Sequence, residues 1–274
     1  MGVLVEALGL PNHPVVVFLF LTTAGFLYFL TLATVSYVVF FVWKKDRFHP
    51  GHEHDPKETR RAIKWSFLSI AGNALLMMPV HLGVAAGWSK LYFDPLAHGW
   101  GWLVAQCVLI LVVTETLIYW AHRWLHTDWM YHRIHKPHHS FVVTTPWAGV
   151  AFNPLDSFLQ ALPHHLCIFL FPVNAYVYLI FVSFLTMWAV MIHDRLSFFP
   201  SAVVNYTGHH TLHHWYYDCN FGQFFTFWDR LMGTYRSPET DAEDCPPEVN
   251  RPHVFLGRRV ELADERVEET APAE

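Results

Sequence analysis

The sequence predicts an all-α protein, a multi-pass integral membrane helical bundle with a histidine-rich cap at one end. Three observations lead there. Hydrophobic residues make up 53% of the 274-residue chain and charged ones only 15%. The apolar residues lie in long runs rather than in the short periodic stretches of a soluble domain. Eleven of the twenty histidines crowd into three segments, HRWLH, HRIHKPHH and IHD…GHHTLHH, each just past an apolar run.

Residues 1–43 form an N-terminal segment and a first span, because Val15 to Trp43 is almost uninterrupted by polar residues. About 20 apolar residues cross a bilayer's hydrocarbon core. The run is too long, and lacks the basic start, of a cleaved leader. Residues 44–64 form a basic loop holding seven of the eighteen Lys and Arg. Such loops face the cytoplasm. Residues 65–236 carry the remaining spans. Trp65 to Ala86 has no formal charge and Gly99 to Trp120 has one, at Glu115.

The stretch His165 to Ile192 is broken at Pro172-Val173-Asn174, where proline removes a backbone donor and ends a helix. Two legs of about 17 residues each approach the bilayer thickness. A hairpin that enters and returns is expected, which brings His193 and the last cluster to the side of His122 and His139. About four to five membrane-embedded helices result, with all histidine clusters on the cytoplasmic face. Trp100, Trp102, Tyr119, Trp120, Trp124 and Trp129 are placed as interfacial anchors. Residues 237–274 read as an acidic, Pro-containing tail, exposed and partly disordered.

The four cysteines form no CxxC pair, so neither a disulfide framework nor a thiolate site is indicated. No Gly-rich nucleotide fingerprint appears, and with a net charge of −5 no nucleic-acid partner is expected. The membrane expected is a bacterial inner membrane or the endoplasmic reticulum.

On a helix, residues three and four apart share a face. His122 therefore pairs with His126, His135 with His138 and His139, and His210 with His213 and His214. Imidazole suits zinc, copper, iron and nickel, and one zinc takes about four ligands. Eight or nine imidazoles exceed the need of one ion, so two metals are expected. A zinc protease needs a general-base Glu inside HExxH, and the inner residues here are Arg123, Trp124 and Leu125. Bis-histidine haem ligation uses single histidines within apolar helices, and these clusters lie in polar sequence outside them. A transporter predicts ionisable residues spread through the spans, and these spans hold few. A histidine-held, non-haem pair of iron ions fits the remaining facts. Such iron activates dioxygen, and the membrane sets it beside lipid. With no flavin or nicotinamide site, electrons must come from an external carrier.

Glu115, inside a span, lies seven and eleven residues before His122 and His126, on about the same face. It is a candidate to accept a hydrogen bond from a ligand's outer N–H. Asp194 and Asp229 are similar candidates.

With these residues in view, the chain resembles the fatty acid hydroxylase superfamily of membrane di-iron enzymes, most closely its sterol C-5 desaturase (lathosterol oxidase) branch. The likeness covers nearly the whole chain. It is carried by YWAHRWLH, HRIHKPHHSFVVTTPWAGVAFNPLDSFLQALPHH, MIHD and GHHTLHHWYYDCNFGQFFTFWDRLMGTYRSP. The resemblance implies iron ligands at His122, His126, His135, His138, His139, His193, His210, His213 and His214. Spacing alone selects eight of these, and His193 comes mainly from the family. His132, His165 and His209 fit the pattern less well.

The branch implies an O2-dependent desaturation that introduces a C5–C6 double bond into a 7-unsaturated sterol. The electron donor would be a cytochrome b5 or ferredoxin-type protein. Hydroxylation of a sterol, fatty acyl or carotenoid chain at the same centre is the alternative. Thr144, Thr145 and Asp156 are candidates for positioning a substrate hydroxyl, with capping or turn chemistry as their ordinary alternative. Three positions depart from the branch. Asn153 stands where it has His before Pro154, Arg195 where it has Gly after IHD, and Trp215 where an aliphatic residue is common.

Overall fold

The computed structural model describes residues 9, 11, 13–198 and 200–241 and, as backbone, 254–255 and 258–259. Most of the acidic tail therefore lies outside the described residues. The first long helix, α1 (Pro14–Ser36), continues through a π-helical segment, Tyr37–Trp43. A short α2 (Lys45–Phe48) begins the basic loop. The loop ends where the Asp55 side chain caps α3 (Pro56–Leu76), accepting from the amides of Lys57 at 2.7 Å and Glu58 at 3.2 Å. An acidic cap followed by proline is a strong start signal.

The uncharged run from Trp65 to Ala86 is not one straight span. Helix α3 passes into α4 (Met78–Ala85) at a 41° bend. Pro79 lies in the first turn of α4, where it has no N–H to continue the ladder.

Helix α5 (Gly99–Leu125) crosses next. After it come one turn, α6 (Asp128–Met130), a π-helical segment, Tyr131–His135, and another short turn, α7 (Lys136–His139). The expected hairpin is present as α8 (Pro154–Leu170) and α9 (Ala175–His193). Its first leg starts well before the apolar run, because Asn153 caps it and Pro154 opens it. Helices α10 (Thr207–Tyr216) and α11 (Phe227–Met232) complete the chain's histidine end.

Among the described residues three helices, Pro14–Trp43, Gly99–Leu125 and Ala175–His193, are long and apolar enough to cross a membrane, or four if the bent α3–α4 pair is one span. Their outward faces carry Val15, Leu19, Leu27, Val35, Val104, Val108, Val112 and Ile180, all more than half exposed. Water would not tolerate so continuous an apolar surface, whereas lipid does. The protein is an integral membrane protein.

Among the described residues the two largest of four hydrophobic clusters hold the bundle. Phe29, Ala33, Tyr37 and Phe41 pack against Trp147, Ala148, Ala151 and Val190, joining α1 to the turn Pro146–Ala148 and to α9. Ile110, Cys167, Ile168 and Tyr178 join α5, α8 and α9. Helices α3 and α8 cross very closely at Gly72, where an added Cβ would stand 2.3 Å from Cβ of Pro154.

At the end remote from the histidines, β1 (Leu91–Tyr92) pairs in parallel with β2 (Val173–Asn174). Trp102 Nε1 donates to the Pro172 carbonyl at 3.1 Å. The hairpin's turn and the loop before α5 are thus fastened together.

Candidate metal centre

All nine histidines meet at the other end. His122 sits on the last turn of α5 with His126 as its C-cap. His135 closes the π-helical segment, His138 and His139 lie on α7, His193 ends α9, and His210, His213 and His214 lie on α10. They form two groups, each able to hold a metal ion. His122, His126, His135, His139 and His213 make one, and His138, His193, His210 and His214 the other. Within each group the candidate ligand atoms lie within 4.8 Å of one another.

The partition follows helical geometry more finely than a shared face. Each residue turns the helix by about 100°, so a side chain four positions on lies about 40° ahead, and one three positions on lies about 60° behind. His135 and His139 stay together, as do His210 and His214. The intervening His138 and His213 each cross to the opposite group. Reading HxxHH as one face is therefore too coarse.

Outer hydrogen bonds fix four of the rings. Nδ1–H of His122 donates to the Phe221 carbonyl at 3.0 Å, that of His213 to Cys219 at 2.7 Å and that of His193 to Ala189 at 2.6 Å. His135 Nδ1–H donates to Oδ2 of Asp156 at 2.6 Å. A neutral imidazole carries one N–H, so Nε2 of His122, His193 and His213, all kept neutral by burial, is a bare lone pair. Nε2 of His122 and Nε2 of His135 nevertheless stand only 3.2 Å apart, and Nε2 of His213 is buried without a hydrogen-bond partner. Lone pairs facing one another repel unless a cation lies among them. The donor set fits metal.

Burial, reinforced by neighbouring imidazoles, holds His126, His138, His139, His210, His213 and His214 below the ordinary histidine value of 6.5. They are neutral at pH 7 and available as donors.

The carboxylates are arranged differently from the sequence expectation. Glu115 accepts from the amides of Phe224 at 2.8 Å and Phe225 at 3.2 Å. Asp229 accepts from Phe221 and Gly222, both at 2.8 Å, and from the Thr234 hydroxyl at 2.7 Å. Both therefore clamp the 220–226 loop, whose Phe221 carbonyl receives His122. They reach the histidines through backbone, not directly. Asp194 accepts from the Leu196 amide at 3.0 Å and the Ser36 hydroxyl at 3.4 Å, and burial pushes it well above the carboxylate range. Among the described residues it is Asp156, expected beside a substrate hydroxyl, that bonds a histidine.

Thr144 gives its carbonyl to Arg195 Nε at 2.8 Å, while its buried hydroxyl has no partner. Thr145 lines a 320 Å³ cavity with Tyr37, His49, His52 and Arg195. Asn153, the departure from the branch, is the cap of α8, with Oδ1 2.9 Å from the Leu155 amide. Arg195 adopts φ +56°, a left-handed backbone that glycine takes without cost. His132 and His209 join neither group. His165 bonds the Tyr178 hydroxyl instead.

Sequence reasoning missed Gly222. A Cβ there would stand 2.3 Å from the Phe225 carbonyl and 3.0 Å from Asp229 Oδ2. Its position between two aromatics in NFGQF was the available signal.

A membrane bundle whose polar end gathers nine imidazoles into two groups able to hold a metal ion defines the class: a membrane protein with a candidate metal centre. The family model for fatty acid hydroxylases matches residues 107–234, which contain every one of these histidines. The Delta(7)-sterol 5(6)-desaturase of Aspergillus fumigatus is 37% identical over 246 residues, covering 89% of this chain and 72% of the relative. Those of Candida albicans and Saccharomyces cerevisiae are 40% and 38% identical, covering 81% of this chain and 57% and 61% of their own. No solved structure matches. The chain belongs to the fatty acid hydroxylase family, together with these sterol desaturases, and is an oxidoreductase. It spans 57 to 72% of these three relatives' lengths.

Proposed function

We propose that the chain is a sterol C-5(6) desaturase that holds two non-haem irons on His122, His126, His135, His139 and His213 and on His138, His193, His210 and His214. The observation that carries this reading is the convergence of bare Nε2 lone pairs into two groups, in a chain 37% identical over most of its length to a Delta(7)-sterol 5(6)-desaturase. Bound iron would supply the O2-dependent oxidation of an unactivated C–H bond.

The reaction removes one hydrogen each from C5 and C6 of a 7-unsaturated sterol. With O2, two electrons and two protons it gives the 5,7-diene and two waters. The electrons come from an external one-electron carrier of the cytochrome b5 or ferredoxin type. The chain's own part is positioning. The backbone carbonyls of Phe221, Cys219 and Ala189 and the carboxylate of Asp156 set the ring orientations, and the buried cage keeps bulk water from the centre.

The basic 44–64 loop supports a cytoplasmic placement of the histidine end. Arg61 of α3 donates to the Ser140 hydroxyl at 2.9 Å, immediately after His139, so the loop and the cage share one side of the bundle. Fungal relatives support the endoplasmic reticulum as the membrane.

The test is expression in a host that accumulates 7-unsaturated sterols and lacks its own C-5 desaturase. A conjugated 5,7-diene absorbance and about two irons per chain are expected. A hydroxylated sterol in place of the diene would make the chain a hydroxylase, and an iron-free, inactive protein would overturn the reading.

A further inference from the structure

We propose that the two histidine groups are unequal metal sites, and that Asp156, held by Gln160, makes the five-histidine group the tighter one. The inference rests on the metal-binding reading above and adds an order of filling.

The inequality begins with charge. Asp156 is fully buried, as is His135, so no water screens the carboxylate from whatever lies beyond the ring. A carboxylate that accepts the outer N–H of a ligating imidazole raises that ligand's basicity and fixes its tautomer. Both oxygens of Asp156 are committed. Oδ2 lies 2.6 Å from His135 Nδ1, and Oδ1 accepts from Gln160 Nε2 at 2.7 Å. Gln160 stands one helical turn along α8 from Asp156, so the helix carries the carboxylate and its brace as one rigid piece. Asp156 is thereby kept from turning inward as a direct ligand.

The four-histidine group has no such partner among the described residues. His193 donates its Nδ1–H to the neutral Ala189 carbonyl at 2.6 Å, and Nδ1 of His138 is buried without a partner. The other buried carboxylates do not make up the difference. Glu115 and Asp229 are taken up by amides of the 220–226 loop, and Asp194 by Leu196 and Ser36. One group therefore offers five donors and a transmitted negative charge, the other four donors and none. The five-histidine site fills first and empties last. The four-histidine site, with fewer protein donors, is the exchangeable one.

The full chain, purified in detergent and stripped of metal, would be titrated anaerobically with Fe2+ in a chelator-buffered series. The wild type is expected to take up two ions in two resolved steps. Asp156→Asn should weaken the tighter step by about 10- to 100-fold, the usual effect of removing such a partner, and leave the weaker step in place, merging the two. Gln160→Leu keeps the carboxylate but removes its brace, and should weaken the same step by less. It decides the matter should Asp156→Asn not fold.

Two ions bound by the wild type in a single step, or an Asp156→Asn or Gln160→Leu chain whose weaker step moves as far as its tighter one, would overturn the inequality while leaving a two-metal centre standing. A wild-type chain that binds no Fe2+ would instead remove the reading beneath it.

Discussion

His138 and His139 are neighbours in the chain, yet their rings stand 82° apart and fall into opposite histidine groups. The short helix α7 runs between the two groups and serves both. His138→Ala and His139→Ala should therefore each remove a different ion. Each variant is expected to retain about one metal per chain and to lose more than about 100-fold in desaturation, since even outer partners of metal ligands are worth 10- to 100-fold. Metal content and sterol product would be measured on one preparation. Loss of the same ion from both variants would contradict the partition.

The 220–226 loop is held by two buried carboxylates at once. Glu115→Gln replaces one of the two accepting oxygens with an NH2, so one of the Phe224 and Phe225 amides loses its acceptor. Leaving a buried amide unpaired should lower stability by about 1–3 kcal/mol and loosen the Phe221 carbonyl under His122. Thermal unfolding in detergent would show the first effect and reduced occupancy of the five-histidine group the second. An unaltered melting temperature would show that the clamp contributes nothing.

Gly222 leaves no room for a side chain, with the Phe225 carbonyl 2.3 Å from where a Cβ would sit. Gly222→Ala has to push backbone aside, a strain of about 1–3 kcal/mol by analogy with overpacked cores. Expected is a less stable chain with weakened metal binding, read by the same melt and titration. Wild-type values in both would mean the loop yields freely.

Acid should empty the centre. For His138, His139, His210, His213 and His214, drawn from both groups, burial holds the folded state well below 6.5, so the unfolded chain binds more protons in the window between the two values. Stability contributed by these neutral rings is complete above about pH 6.5 and declines as pH falls toward the depressed folded values. Protons also compete with metal for the same nitrogens, so both effects have one sign. Metal retention and melting temperature, followed from pH 8 down to 5 in steps, should fall together. Retention unchanged to pH 5 would contradict the argument.

Much of this was legible in the sequence. The long apolar runs gave the spans, Pro172 gave the hairpin turn, and the need for His193 to rejoin His122 gave its direction. Histidine spacing picks out eight of the nine converging histidines, and the family resemblance adds His193, but neither gives their division into two groups, because spacing states an angle on one helix and the division depends on what stands to either side. The carboxylates were misplaced for a related reason. Glu115 lies on the face of His122, but the 220–226 loop, distant in sequence, comes between and takes its oxygens. In the sequence Asp156 reads as a candidate for positioning a substrate hydroxyl, with turn chemistry as the alternative, and only the return of α8 against the Tyr131–His135 segment brings it to His135. Asn153 looked like a lost imidazole and is a helix cap.

The 3.2 Å approach of the His122 and His135 Nε2 atoms bears on the living cell. If the cage holds iron as proposed, the ions would bind the folded chain and not the unfolded one, so filling would belong to maturation and not only to activity. Cells starved of iron should accordingly contain less of the polypeptide, cleared by membrane quality control, rather than a normal amount of idle enzyme. Immunoblots from iron-replete and chelator-treated cultures would separate the two, and equal band intensity would place the metal outside the folding balance.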